Sequence, residues 1–455
     1  MAADADVVVI GAGLAGLTAA HRMTIAGASV VVVEARGRVG GRVLTTQLDD
    51  LTVDLGGTWV GPGQDRIAAL LDELGVSTFP THDHGDDLLV LRRHRGRVMR
   101  RRAAGRVPPL AAPAVLDLAR VQTALDRMAR QVPLDRPWTA PRARSRDAQT
   151  LESWLQRNAL TRDARRLVRL LLAQAVLTTE AENVSLLHAL FYLRAGGGFE
   201  TLMSTTGGAQ QDRIVGGALQ VPLRLAGALG DRVRLDWPVR SVRVRDGGVE
   251  VGGDAGTVTA RRAIVAVPPT LAGRLHYEPA LPAARDQLTQ RVPHGATIKA
   301  VARYDRPFWR DDGLSGQALT DRGDVLFTFD VSPADGSVGA LVAFVQGTTA
   351  VRLGAAPAAQ RRAAVLADLA ALYGPQAAEP DGYVEQDWQA EQYTRGCYGG
   401  HAPPGALTQY GHALRRPIGP LHWAGTETAE RGNGYMDGAV ASGERAAREV
   451  LAALG

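Results

Sequence analysis

The sequence predicts a chain of mixed class, α/β and α+β: a Rossmann-like domain opened by a βαβ unit, and a discontinuous second domain of mixed sheet plus helices. Three observations predict it. An apolar strand, a Gly-x-Gly-x-x-Gly turn, a helix and a second apolar strand follow one another before Glu34. At 455 residues the chain is about three times a ~150-residue domain, enough for two or three lobes with cores of their own. Short strands and glycine turns return after long helical and mixed stretches, so the first domain is entered more than once.

Residues 6–10, DVVVI, read as a strand, Ala12 to Ala26 as a helix and Val30 to Val33 as a second strand. Between strand and helix lie Gly11, Gly13 and Gly16, with Glu34 eighteen residues beyond the last of them. Gly11 permits the tight turn, Gly13 lets backbone approach a pyrophosphate, Gly16 lets helix and sheet pack closely, and the helix N-terminus offers partial positive charge. Glu34 would accept ribose hydroxyls, so the unit predicts a bound dinucleotide. Arg36, Arg38, Gly40, Gly41 and Arg42 follow, adding donors for a doubly charged pyrophosphate. Asp54-Leu-Gly56-Gly57-Thr58-Trp59 repeats the device, which suits FAD held along its length better than NAD.

From residue 82 to 110 arginines, among them Arg92, Arg95, Arg100 and Arg106, flank short apolar stretches and predict a solvated hairpin and loop. Residues 111–130 and 151–175 carry helical periodicity, with a cap at Thr150, and residues 138–150 read as the loop between them. A helix should end near Ala195-Gly-Gly-Gly198. The chain then re-enters the first domain: a turn at Val215-Gly-Gly217, a helix over 219–229, strands near 232–235 and 239–245, a hairpin turn at Asp246-Gly247-Gly248, and a strand from Arg262 to Val267 that Pro268-Pro269 ends. Alternating runs at 298–303, 325–331 and 339–346 and a helix near 357–372 belong to the second domain. The resulting division is 1–80, 209–297 and 385–455 for the FAD-binding domain, and 81–208 and 298–384 for the substrate-binding domain.

Composition excludes several classes. Apolar residues are 45% and charged residues 22%, values of a folded globule rather than a disordered chain. The net charge of +5 is mild, and the arginine-rich stretch lacks the interleaved aromatics that stack bases, so no nucleic-acid partner is expected. No apolar run reaches 18 residues, the start has acidic residues where a signal peptide is basic, and the final SGERAAREVLAALG reads as a short amphipathic helix. A soluble protein without a transmembrane anchor is expected. Cys397 is the only cysteine, which rules out an internal disulfide and a Cys-based metal cluster, and fits a reducing cytoplasm.

Two solitary residues point to chemistry. Lys299 is the only lysine in the chain and sits in an apolar strand-like run, Ala296 to Ala302. Unlike guanidinium, its ammonium can desolvate, shift its pKa and hold a single water. Cys397 stands in Arg395-Gly-Cys-Tyr398-Gly-Gly400. A lone cysteine is usually a small buried hydrophobe, but a thiolate can also attack an electrophilic cofactor carbon. Near the end, Leu421 to Thr428 runs from a buried strand into a polar turn, and Gly432 to Ala439 feeds the final helix.

With these motifs in hand, the sequence resembles the flavin-dependent monoamine oxidases, nearly end to end. The matching residues are Gly11 to Gly16 with Glu34, Gly40-Gly41-Arg42, Asp54 to Trp59, Gly208-Ala-Gln210 to Gly217, Lys299, Gly396-Cys-Tyr398, Pro404-Gly405 to Tyr410-Gly411, and Trp423 to Glu427 through Tyr435-Met-Asp-Gly438. The resemblance implies FAD joined by a thioether from Cys397 to its 8α carbon, although soluble microbial members often hold FAD non-covalently. It implies that Tyr398 and Tyr435 form an aromatic slot before the flavin, that Lys299 holds a water beside it, and that Gln210 lies on the substrate side. Val233 would contact the adenine end, and Thr426 and Met436 the flavin surroundings.

The implied reaction takes a small amine and O2 to imine, then aldehyde, with hydrogen peroxide, without a His or Asp general base and without a metal. Aromatic or aliphatic monoamines are expected first. Diamines or polyamines, with Glu200 or Asp212 as a distal carboxylate, and L-amino acids are the alternatives; a silent FAD-binding or amine-sensing protein is the alternative of another class. A homodimer is compatible with the resemblance. The animal enzymes carry a membrane helix after the segment where this sequence stops, which favours a soluble microbial type.

Overall fold

In the computed structural model, which describes residues 3–93, 97–105 and 108–455, the strand Ala5–Ile10 lies between Val30–Val33 and Gly256–Val265, parallel to both. Arg95 and Arg106 fall outside the described residues. Val7, Val8 and Val9 are fully buried, so both faces of the strand are covered, which explains the unbroken valine run. The full sheet has eight strands, extended by the hairpin Val239–Arg245 and Gly248–Gly253 and by Leu421–Trp423, which pairs with Gly256–Val265. Helix Leu14–Ile25 starts directly after the glycine turn. A Cβ on Gly16 would lie 2.0 Å from the Gly11 carbonyl oxygen, so only glycine lets the helix come this near the turn. The last helix, Met436–Leu454, packs on the first just as closely: a Cβ on Gly443 would meet the Ala15 oxygen at 2.3 Å.

A second sheet of seven strands carries Lys299. The strand that bears it, Thr297–Tyr304, lies second from one edge and pairs antiparallel with Gly339–Gln346 on one side and with the edge strand Gly382–Asp387 on the other. The arginine-flanked hairpin Asp86–Arg92 and Val98–Ala103 closes the far edge, paired through Leu314–Thr320. We propose the two-domain division with two changes: the crossings expected at 297/298 and 384/385 fall inside the strands Thr297–Tyr304 and Gly382–Asp387, which stay whole with the second sheet.

Helices build the remaining wall. Ala112–Ala129 and Leu186–Ala195 form where the periodicity places them, and Thr150 caps Leu151–Asn158 by accepting from the Ser153 amide. Three readings differ. The segment 138–150 contains the short helix Ala143–Asp147, because its arginines leave enough apolar contact at Ala143 for one turn. The expected helix over 151–175 is broken at Ala159-Leu160, resumes after a second cap at Thr161, and widens to a π-helix over Arg169–Val176. The strand ending at Val265 begins at Gly256, six residues earlier than Arg262, since glycine and threonine at its start hide the alternation.

Candidate active site

The two sheets and the helical wall enclose a cavity of about 1200 Å³. One part is made by the glycine turns. Gly11 and Gly13 face Gly41 across it, and a Cβ on Gly41 would stand 3.3 Å from the Gly13 Cα, narrowing the gap between the turns. Among the described residues the amides of Gly13, Gly41 and Arg42 donate to no protein acceptor. Glu34 is buried, with one carboxylate oxygen accepting from the Ala12 amide at 2.8 Å and the other from the Arg36 amide at 3.1 Å. Unpartnered amides at a helix N-terminus, next to a fixed carboxylate, fit a pyrophosphate with a ribose beside it.

The other part holds the solitary residues. Lys299, Cys397, Tyr398 and Tyr435 all line the cavity, together with Gly57, Thr58, Thr426 and Met436. Lys299 donates to the Gly56 carbonyl at 3.0 Å and to Thr58 Oγ1 at 2.5 Å, under the rings of Trp59 and Phe344. Burial lowers its pKa to about 8. Burial likewise pushes the Cys397 thiol up to about 12, against the pull of Arg42 and Lys299, and keeps the phenols of Tyr398 and Tyr435 protonated. The Cys397–Tyr398 peptide is cis. Thr426 Oγ1 donates to the Tyr435 carbonyl at 2.9 Å, and the Gly434 amide donates back to it at 2.8 Å, which fixes the turn that presents Tyr435. Met436 packs on Gly57, where a Cβ would come within 3.2 Å of its Cγ.

Arg42 joins the two parts. It lines the cavity, donates to the Tyr398 carbonyl at 2.7 Å, and grips Glu427 with both terminal nitrogens, at 2.5 and 3.1 Å. Burial would raise the Glu427 pKa, but the Arg42 charge and its hydrogen bonds hold it well below the usual carboxylate range. Nothing in the sequence links these partners; only the Trp-Ala-Gly-Thr-Glu spacing marks Glu427.

Gly16 serves the helix packing expected of it and does not line the cavity. Val233 stands elsewhere than expected of a ligand contact: it pairs with Val32 at the sheet edge. Val239, next to Trp237 and Pro238 and a few residues beyond the same Asp-Arg-Val segment, lines the cavity instead; the sequence reading names Val233 alone. Arg36 and Gln210 both line the wall. Glu200 does too, with Asp83, Asp87 and Asp126, which sequence reasoning missed. Asp212 does not line the cavity; it pairs with Val60 and Pro80. Among the described residues no cluster of His, Cys, Asp and Glu could hold a metal ion, and no helix is long and apolar enough to cross a membrane.

Comparison with known proteins agrees with this geometry. The family model for flavin containing amine oxidoreductases matches residues 14–451. The chain is 42% identical to AofH of Mycobacterium tuberculosis, provisionally described as a flavin-containing monoamine oxidase, over 99% of this chain and 97% of that one. It is 39% identical to the flavin-containing amine oxidase B of Sus scrofa, over 100% and 88%. A solved putrescine oxidase, redesigned in its cofactor binding by an alanine-to-cysteine change, superposes with a TM-score of 0.94 at 38% identity, covering 99% of each chain. A dinucleotide cradle continuous with a lysine- and tyrosine-lined chamber, in a chain matched along its whole length, places this protein in the family of flavin containing amine oxidoreductases, as an FAD-dependent amine oxidase.

Proposed function

We propose that the chain oxidises a primary or secondary monoamine, aromatic or aliphatic, and that Tyr398 and Tyr435 form the slot through which the amine reaches the cofactor. The observation that carries this is the convergence of two half-buried, neutral phenols with Lys299 and Cys397 on one cavity. Bound FAD supplies acceptance of two electrons and a proton equivalent from the amine, and dioxygen takes them to give hydrogen peroxide. The resulting imine is hydrolysed by water to aldehyde and ammonia or a smaller amine.

The protein's part is to hold and select. Gly11, Gly13, Gly41 and Arg42 would hold the pyrophosphate, Glu34 the ribose, and Gly57, Thr58, Thr426 and Met436 the ring surroundings. The aromatic faces favour an amine nitrogen, and a dry, neutral slot favours its deprotonated form. Alignment of the reacting carbon then supplies much of the rate. A diamine is the second reading, favoured by the carboxylates Asp83, Asp87, Asp126 and Glu200 on the wall. An anaerobic screen decides: benzylamine, phenethylamine or tyramine should bleach the flavin rapidly, and putrescine and L-amino acids slowly. Faster bleaching by putrescine would move the assignment to diamines, and no bleaching by any amine would reject it.

We further propose that Cys397 bonds FAD covalently. Its place on the cavity wall supports this, as does the use of a cysteine to redesign cofactor binding in putrescine oxidase. After acid precipitation the yellow colour is expected in the pellet for the native chain and in the supernatant for Cys397→Ser. Release from both would reject the bond and leave the oxidase reading intact.

A further inference from the structure

Tyr398 is held from behind by residues outside the motifs. Gln346 ends the strand Gly339–Gln346 and is the cross-strand partner of Thr297. The Thr297 hydroxyl donates to Gln346 Oε1 at 2.6 Å, and Gln346 Nε2 donates to the Tyr398 hydroxyl oxygen at 2.9 Å. Both side chains are buried, Gln346 at 3% exposure and Thr297 at 1%. Because the threonine occupies the carbonyl end of the carboxamide, the NH2 end is committed to the phenol. The Thr297 hydroxyl oxygen lies 3.2 Å from the Cys397 carbonyl oxygen, the longer alternative for its one proton, and that carbonyl accepts from Thr178 Oγ1 at 2.8 Å. The Tyr398 ring meets Phe344 edge-on, with centroids 6.4 Å apart. The dipeptide Cys397–Tyr398 is thus fixed at the Cys397 carbonyl, at the Tyr398 carbonyl through Arg42, and at the far tip of its ring.

We propose that Gln346, oriented by Thr297, is a positioning residue that sets the tilt of the Tyr398 ring and so the width of the amine slot; the proposal rests on the reading of Tyr398 as a slot wall. Gln346 does not line the cavity, so it acts through the tyrosine and not on the substrate. Thr297 lies two residues before Lys299 on one strand, and side chains two apart share a face. One strand face therefore delivers both the lysine and the anchor of the ring. Without the amide, the phenol tip faces a buried apolar side chain and its ring samples more than one tilt.

The test uses the FAD-loaded enzyme grown with 3-fluorotyrosine, the Tyr398 fluorine signal being the one of nine tyrosines lost in Tyr398→Phe. In the native chain that signal should be a single narrow line. In Gln346→Leu it should broaden or split, and in Gln346→Glu, which keeps a hydrogen bond to the phenol, it should stay narrow. The limiting rate of anaerobic bleaching by benzylamine should fall about 3- to 10-fold in Gln346→Leu, the effect of one hydrogen bond. It should recover in Gln346→Glu, and adding Gln346→Leu to Tyr398→Phe should cost nothing more, since contacting residues that act as one do not add. Thr297→Val should shift line and rate in the same direction, and serves if Gln346→Leu does not fold. An unchanged line in both variants, or rate losses that multiply with Tyr398→Phe, would overturn the proposal. If Tyr398→Leu leaves bleaching unaltered, the slot reading itself fails, and the fluorine line still reports whether Gln346 holds the ring.

Discussion

Replacing Lys299 with methionine is expected to slow the reaction of the reduced enzyme with dioxygen by about 100-fold, while anaerobic bleaching by amine changes little; one preorganised charge aimed at a developing anion has this order of effect. Dioxygen gains negative charge as it is reduced, and the ammonium of Lys299 is a cation on the cavity wall, under Trp59 and Phe344. The pH dependence is the sharper check. With a pKa of about 8, Lys299 is charged below that pH and neutral above it. Native reoxidation should therefore decline as pH rises through about 8, and Lys299→Met should be slow and flat across the same range. Stopped-flow mixing of reduced enzyme with oxygenated buffer measures both. A native profile without a limb near that pH, or a methionine variant that reoxidises normally, would remove Lys299 from the oxygen step.

Lys299 also bears on stability. Its folded pKa lies below its ordinary value of 10.5, so the protonated form is held at a cost that is fully present below pH 8 and relieved as pH rises from about 8 to 10.5. The methionine variant escapes that cost but leaves the Thr58 hydroxyl oxygen without its donor and the Gly56 carbonyl with the Thr58 hydroxyl alone.

The second large effect concerns Glu427. Glu427→Ala should destabilise the protein by about 3 kcal/mol, the low end for a broken buried pair, because it leaves the half-buried Arg42 guanidinium without its counter-ion. Exchanging both partners for methionine should cost less than the two single methionine changes added together, and the shortfall from that sum is the coupling of the pair. Because Arg42 also binds the Tyr398 carbonyl, the alanine variant should lose FAD more readily and show a disturbed slot. The folded pKa of Glu427 is depressed, so its contribution is complete above its ordinary value of 4.5 and is lost as pH falls below it. Denaturation followed from pH 7 to pH 3 should show a steeper acid decline in the native chain than in Glu427→Gln. Equal slopes, or an alanine variant as stable as the native chain, would mean that the pair carries no such energy.

The sequence made the cradle legible because strand, glycine turn and helix are local: Gly11, Gly13, Gly16 and Glu34 act within one βαβ unit, and their spacing is the structure. Lys299 and Cys397 were legible by solitude, being the only residues of their kinds. What could not be read is what joins distant segments. Arg42 and Glu427 meet only because the first and last parts of the chain share a sheet and a helix pair, and Gln346 touches Tyr398 only because the register sets it opposite Thr297. Val233 lies on an edge strand and Val239 on an inner strand near the opposite side of the sheet, a matter of pairing and not of pattern. The strand Leu314–Thr320 escaped notice because LSGQALT has little alternation, its place being decided by parallel pairing with Asp86–Arg92.

The close seat of the last helix on the first, with Gly443 against Ala15, has a consequence for biosynthesis. As the ribosome makes this chain, the early βαβ unit emerges first but must wait for the final segment before its outer face is covered and Arg42 finds its counter-ion. Contacts of such sequence separation close slowly. A nascent chain halted short of Met436 would therefore expose an apolar helix face and a half-made cradle, the kind of surface that chaperones bind.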